Sequence, residues 1–199
     1  MPRPVSTDNP LVLGSASPRR REILEAQRIP IVIRPSSTDE STRDGEAAAA
    51  YLERVVRAKL DAVRSHAGAR PDEWILVADT SVVVDGRILG KPEDLGHSRA
   101  MLADLAGRAH DVMTRFAVAG GGALHAETVT TRVTFRPLTA EEIDAYAASG
   151  EGLDKAGGYA VQGLGASLVA RIDGSYTSVV GLPACEVIVA LRRLGALAR

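Results

Sequence analysis

Along the first third of the chain, apolar and polar positions switch between two periods. Leu11, Val12 and Leu13 form a short, wholly apolar run of the buried-strand kind, and Gly14, Ser15 and Ala16 turn the chain. Ser17 is a good N-cap, and Pro18 suits the first helical position because it needs no backbone N–H. Ile23 and Leu24 begin the apolar stripe of the helix that follows, so the stretch predicts strand, turn and helix, an arrangement that aims helix N–H groups at an anion. Ile29 to Arg34 predicts a second short strand, followed by a polar loop to Gly45. From Glu46 to about His66 the period is helical, with Leu52, Val55, Val56, Leu60 and Val63 on one face and Lys59 beside it.

The middle of the chain is strand-rich. Trp74 to Ala78 is a continuous apolar run of a central buried strand, ending at Asp79-Thr80, and Ser81 to Leu89 reads as a hairpin turning at Asp85-Gly86. A helix through Met101, Leu102 and Leu105 is stopped by Gly107. His110–Ala119 and Leu124–Arg136 alternate as two long antiparallel strands joined through three glycines, and Thr139 with Glu142 forms a capping box for a helix to Ser149. Residues 150–165 are dense in glycine yet carry Asp154, Lys155, Tyr159 and Gln162, a composition that lets backbone approach a ligand while a few side chains read it, or that simply makes a long turn. Ser167–Ile172 predicts a strand, and Pro183 to about Leu197 a helix. Together these elements predict a mixed α/β fold, an elongated and largely antiparallel central sheet flanked by helices, with two lobes and a cleft between them. The whole of 1–199 reads as one domain, with residues 1–10 a loose N-terminal arm.

Composition narrows the chemistry. A net charge of −1 removes any argument for bulk electrostatic binding of nucleic acid, and 45% hydrophobic with 25% charged residues is ordinary for a globular chain. Cys185 is the only cysteine, which excludes an intramolecular disulfide and a cysteine zinc site; its apolar neighbours predict core filling. No signal-peptide pattern and no apolar window long enough for a transmembrane helix is visible, so the expectation is a soluble cytoplasmic protein without membrane contact.

Three features nominate a site. Arg19, Arg20 and Arg21 crowd a helix N-terminus where the macrodipole is already positive; either an anion sits among them, or they fan into water with Glu22 and Glu25 compensating. Asp79, at the expected end of a buried strand, is costly without a cation and is a candidate catalytic or metal-binding carboxylate. Against 21 arginines the chain has only three lysines, Lys59, Lys91 and Lys155, which marks positions where a compact point charge is wanted.

Four separated motifs resemble the Maf family of septum-formation-inhibitor-like nucleoside triphosphate pyrophosphatases, from Leu11 to about Glu186. They are Ser15-Ala-Ser-Pro-Arg-Arg20, Ala78-Asp-Thr80 with Leu89-Gly-Lys-Pro92, Asp154-Lys-Ala-Gly157 with Val161-Gln-Gly163, and Gly174-Ser-Tyr176 with Val180-Gly-Leu-Pro183. Gly14 stands where the family often has alanine. The resemblance implies a fold similar to that of inosine triphosphatases, and hydrolysis of a nucleoside triphosphate to the monophosphate and pyrophosphate with Mg²⁺ or Mn²⁺. It implies Asp79 as the catalytic carboxylate and, with Glu40, as a metal ligand. Ser15, Arg19, Arg20, Lys59 and Lys91 are implied on the substrate side, with Arg19, Thr80 and Gln162 at specificity positions. Asp154-Lys155 with Gln162 resembles the branch acting on dTTP and UTP rather than the 7-methyl-GTP branch. A homodimer is a further implication, and no nucleic-acid partner is expected. A competing reading is a nucleotide-binding regulator of cell division that needs no hydrolysis, and another is a pyrophosphatase of the same family with a different base preference.

Overall fold

Local signals set most of the elements. In the computed structural model, which describes residues 3–197, β1 (Leu11–Leu13) leads through Gly14 to α1 (Pro18–Ala26), where the Ser17 side chain caps by accepting from the Arg20 N–H. β2 (Ile31–Ile33) and α2 (Ala48–Arg64) follow, then β3 (Ile75–Val84), β4 (Arg87–Leu89) and α3 (Leu95–Leu105). The long hairpin is β5 (Ala109–Gly120) with β6 (Ala123–Phe135), and the predicted capping box opens α4 (Ala140–Ala148) with both of its hydrogen bonds present. Two 3-10 turns, Ala156–Gly158 and Gly163–Leu168, lead to β7 (Val169–Asp173), a short α5 (Tyr176–Val180) and α6 (Ala184–Arg193).

The seven strands form one sheet in the order β2-β1-β3-β5-β6-β7, with β4 also on β3. β1 runs parallel to β2 and β3, and the other pairings are antiparallel, so the sheet is mixed and mostly antiparallel. β5 covers one edge of β3 from Ile75 to Val83. On the other edge β1 reaches only Ile75 and Leu76, and β4 begins at Val82. Between them the edge of β3 pairs with no strand among the described residues, and this break holds the cleft described below.

Alternation along β3 divides its neighbours between the two faces. Ile75 and Val77 pack with Val56, Leu60 and Val63 of α2, while Leu76 and Ala78 pack with Leu24, Leu182, Val187 and Leu191 around α1 and α6. A further cluster joins α3 and α4 to the far end of the sheet through Leu102, Leu105, Val112 and Phe135.

Four expectations are corrected. β3 does not end at Asp79-Thr80 but runs on to Val84, because β5 pairs with it throughout. Cys185 is exposed rather than in the core: α6 turns Val187, Ala190 and Leu191 inward, and a residue two positions before Val187 falls on the opposite face. Ser167 and Leu168 belong to a 3-10 turn, not a strand, and α5 was absent from the sequence-based prediction. Residues 3–10 are docked rather than loose: the Val5 N–H donates to the Ala196 carbonyl at 2.8 Å, and the Arg3 carbonyl accepts from the Trp74 indole at 3.2 Å and the Asn9 amide at 2.8 Å. Met1 and Pro2 lie outside the described residues.

Phe116, fully buried on β5 opposite Ala78, anchors the α1/α6 side of the core. Phe116→Ala is expected to lower the unfolding free energy by about 3–5 kcal/mol, read as a fall in the urea midpoint at unchanged slope.

Candidate active site

Where β1 stops, the chain leaves the sheet at Gly14, whose N–H donates to the Leu76 carbonyl at 2.8 Å. A Cβ there would lie 2.6 Å from Val63 Cγ2 and 2.7 Å from Val77 Cγ1, so the absence of a side chain allows the turn to hug α2 and β3. The turn and α1 form one wall of a cavity of about 670 Å³ at the break in the sheet, a size in the usual range for small-molecule sites. Apart from Arg21, the residues the sequence nominates line it: Ser15, Arg19, Arg20, Glu40, Lys59, Asp79, Thr80, Lys91, Lys155 and Gln162. Its lining carries five cationic side chains against three carboxylates.

The three arginines at the start of α1 take separate paths. Arg21 remains exposed and pairs with Glu25 at 3.7 Å, as compensation on the helix surface predicts. Arg19 lies 3.7 Å from Asp154. Arg20 is buried: its Nε donates to the Gly181 carbonyl at 2.8 Å, Nη1 to Ser15 Oγ at 3.1 Å and Nη2 to Thr80 Oγ1 at 3.3 Å. Those bonds use three of the five guanidinium N–H groups and fix the fork. Burial pushes Arg20 below the ordinary arginine value, opposed by the nearby Asp79 and Glu40 carboxylates.

Thr80 is itself held. Thr114 Oγ1 donates to the Ser178 carbonyl at 2.8 Å, so in the 2.9 Å contact between the two threonines Thr80 is the donor. Its remaining lone pairs face Arg20.

On the opposite face of β3, Lys59 of α2 meets Asp79. The ammonium lies 2.7 Å from Asp79 Oδ1 and 3.0 Å from Glu40 Oε1, bridging the two carboxylates; Lys59 and Asp79 are buried and Glu40 is half exposed. Tyr51, Val55 and Lys59 recur at a spacing of four on α2 and so share a face. The Tyr51 hydroxyl donates to the Glu40 carbonyl at 3.0 Å, which ties the loop carrying Glu40 to the helix. Burial, then Asp79 and Glu40, push the Tyr51 phenol above its ordinary range, so it stays a donor. Tyr51 was missed as a site residue; its signal was the shared face with Lys59.

The glycine-rich segment closes the cleft. The Lys155 ammonium donates to the Glu151 carbonyl and to the Asp154 carboxylate. Burial would raise the Asp154 carboxyl, but Lys155 and Arg19 outweigh it and hold it below the usual range. Gln162 and Lys91 are exposed on the cavity, and neither takes part in a side-chain hydrogen bond or ion pair among the described residues.

No group of three or more His, Cys, Asp or Glu side chains suited to a metal occurs among the described residues. Glu40 and Asp79 offer two hard oxygen ligands, and Mg²⁺ at phosphate sites is held by one or two carboxylates with the rest of its shell from phosphate and water. The donor set fits Mg²⁺ or Mn²⁺ in kind and is incomplete without a substrate.

Behind the cleft, His110 and Tyr159 form a buried pair, Nε2 to hydroxyl at 2.8 Å, edge-on to Phe135. Burial pushes His110 down to about 4, with Asp111 opposing, and a second ring proton would have no acceptor because Nδ1 is buried without a partner among the described residues. A folded-state value below the unfolded 6.5 means that the unfolded chain binds the extra proton. Stability is therefore full above pH 6.5 and falls toward pH 4, by on the order of 3 kcal/mol at most from this residue. Urea unfolding across that range is expected to show the fall, and His110→Gln to flatten it.

Comparison with known proteins matches residues 10–194 to the family described as Maf-like protein. The chain is 49% identical over 187 residues to a dTTP/UTP pyrophosphatase of Myxococcus xanthus, spanning 93% of this chain and 92% of that one. It is 46% identical over 185 residues to a dTTP/UTP pyrophosphatase of Hahella chejuensis, with the same two shares. Among solved structures, the Ham1 protein of Staphylococcus aureus aligns with 94% of this chain and 100% of its own at 10% identity and a TM-score of 0.49.

Proposed function

This chain belongs to the Maf-like protein family, and we propose that it is a nucleoside triphosphate pyrophosphatase hydrolysing dTTP and UTP to the monophosphate and pyrophosphate. The observation that carries the reading is the convergence of five cations on one cavity with a buried carboxylate held 2.7 Å from one of them. The names of the relatives supply the substrate class.

In this reading the triphosphate lies along Arg19, Lys59 and Lys91, with the two unused N–H groups of Arg20 completing the grip. Asp79 takes a proton from a water whose oxygen bonds to the α-phosphorus, while the bond from that phosphorus to the bridging oxygen breaks and pyrophosphate leaves with the electron pair. Asp79 and Glu40 would hold Mg²⁺ or Mn²⁺, which supplies charge neutralisation at the phosphate oxygens. Preorganised charge of this kind is the main source of rate at phosphoryl centres. Gln162 reads the base, since one amide both donates to and accepts from the edge of uracil or thymine, and Lys155 stands beside it.

The proposal includes the homodimer that the family resemblance implies, and a cytoplasmic location. Among the described residues no helix is long and apolar enough to cross a membrane.

Pyrophosphate release from a panel of UTP, dTTP, CTP, dGTP and 7-methyl-GTP, with Mg²⁺ or Mn²⁺ and an EDTA control, is the direct test. UTP and dTTP are expected to lead, and EDTA to stop release. Binding without release would favour the regulator instead. Asp79→Asn is expected to reduce kcat roughly 10²- to 10⁴-fold. Calorimetry should find nucleotide binding in that variant retained or tightened, since a negative charge has left the cleft; wild-type turnover would remove Asp79 from its role.

A further inference from the structure

Gln162 is exposed and its side chain bonds to nothing among the described residues, so its aim is inherited from its backbone. That backbone is held by a residue outside the cavity lining. Glu151 Oε1 accepts from the Leu164 N–H at 2.9 Å, and Oε2 accepts from the Gly165 N–H and the Tyr146 hydroxyl, each at 2.8 Å. Both amides lie in the first turn of the 3-10 segment Gly163–Leu168, where an outside carboxylate is a natural partner for main-chain N–H groups. Gly163 turns at φ +64°, and a Cβ there would lie 2.2 Å from Glu151 Oε1, so the residue after Gln162 is pressed onto this carboxylate. The main-chain carbonyl of Glu151 accepts from the Lys155 ammonium. Burial would raise the Glu151 carboxyl, but the two amides, the tyrosine hydroxyl and Lys155 outweigh it and hold it below the usual range, so it is ionised at neutral pH.

We propose that Glu151 is a positioning residue for base selection: its carboxylate sets the pose of Gln162 and its carbonyl that of Lys155, and through them it determines which base the cleft accepts. The inference rests on the reading of this cleft as a pyrimidine nucleotide site.

A clamp that merely stabilises the fold would leave base preference alone, and this separates the two roles. Steady-state kcat and KM are measured for dTTP, UTP and dGTP with Glu151→Gln, Gln162→Ala and the double variant, alongside amide hydrogen exchange at Leu164 and Gly165. Glu151→Gln keeps the shape and turns one acceptor into a donor. KM for dTTP and UTP is expected to rise roughly tenfold or more with a smaller change in kcat. The preference over dGTP should narrow, and exchange at the two amides should quicken. In the Gln162→Ala background the same substitution should narrow the preference no further. If Glu151→Gln does not fold, Tyr146→Phe, which removes one of the three donors, should narrow the same preference by a smaller factor. An unchanged preference in folded Glu151→Gln or Tyr146→Phe overturns the proposal, as does an equal loss on all three nucleotides. A wild-type protein that releases pyrophosphate equally from dTTP, UTP and dGTP, or from none, overturns the pyrimidine reading and this inference with it, before any variant is compared.

Discussion

An ammonium and a carboxylate buried together constrain each other more tightly than any apolar contact does. Lys59 and Asp79 are both withdrawn from water, a loss that a 2.7 Å contact offsets only if the helix and the strand that carry them keep their register. The apolar seam of Val56, Leu60 and Val63 against Ile75 and Val77 holds α2 on β3, and the ion pair selects one alignment of that seam. Glu40 then enters through the same ammonium, and Tyr51 secures the loop behind it. Removing Lys59 strands Asp79, and removing Asp79 leaves the buried ammonium only the half-exposed Glu40, so the pair ties the stability of this lobe to the composition of its cleft.

The break in the sheet explains how adjacent residues serve one cavity. Asp79 and Thr80 point to opposite faces of β3, toward α2 and toward α1 with the turn after α5. On a strand paired along both edges those two faces would be separate compartments. Here the outer edge carries neither β1 nor β4 between Leu76 and Val82, so both faces open onto the same space. The excess of two positive charges lining that space is smaller than the charge of a triphosphate, and the shortfall has the sign a divalent cation supplies.

How much of this could be read from the chain follows from the range of each interaction. Ser17-Pro18, the Thr139–Glu142 box and Gly107 act within one turn of helix, and those boundaries were legible. Asp79 looked like a strand end because a charge in an apolar run has no local partner; its partner lies 20 residues earlier on another element. Cys185 sits in a run too uniformly apolar to reveal the phase of α6, which tertiary packing sets. The motifs found the cleft residues because side chains that share a ligand leave a pattern of types, whereas Glu151, which acts 13 and 14 residues away on main-chain N–H groups, leaves none.

The division of labour between arginine and lysine has a physical basis. All three lysines line the cavity, in a chain that otherwise uses arginine. Arg20 spends its planar fork on a carbonyl and two hydroxyl oxygens, uncharged acceptors that no ligand displaces, and its remaining N–H groups are therefore preset. Lys59 is bound to two carboxylates instead, and an ammonium on a four-carbon stem can rotate a donor toward a new oxygen without surrendering its position. One cation is thus a fixture of the frame and the other an exchangeable contact, and a cleft that must hold a highly charged ligand and then release its product needs both.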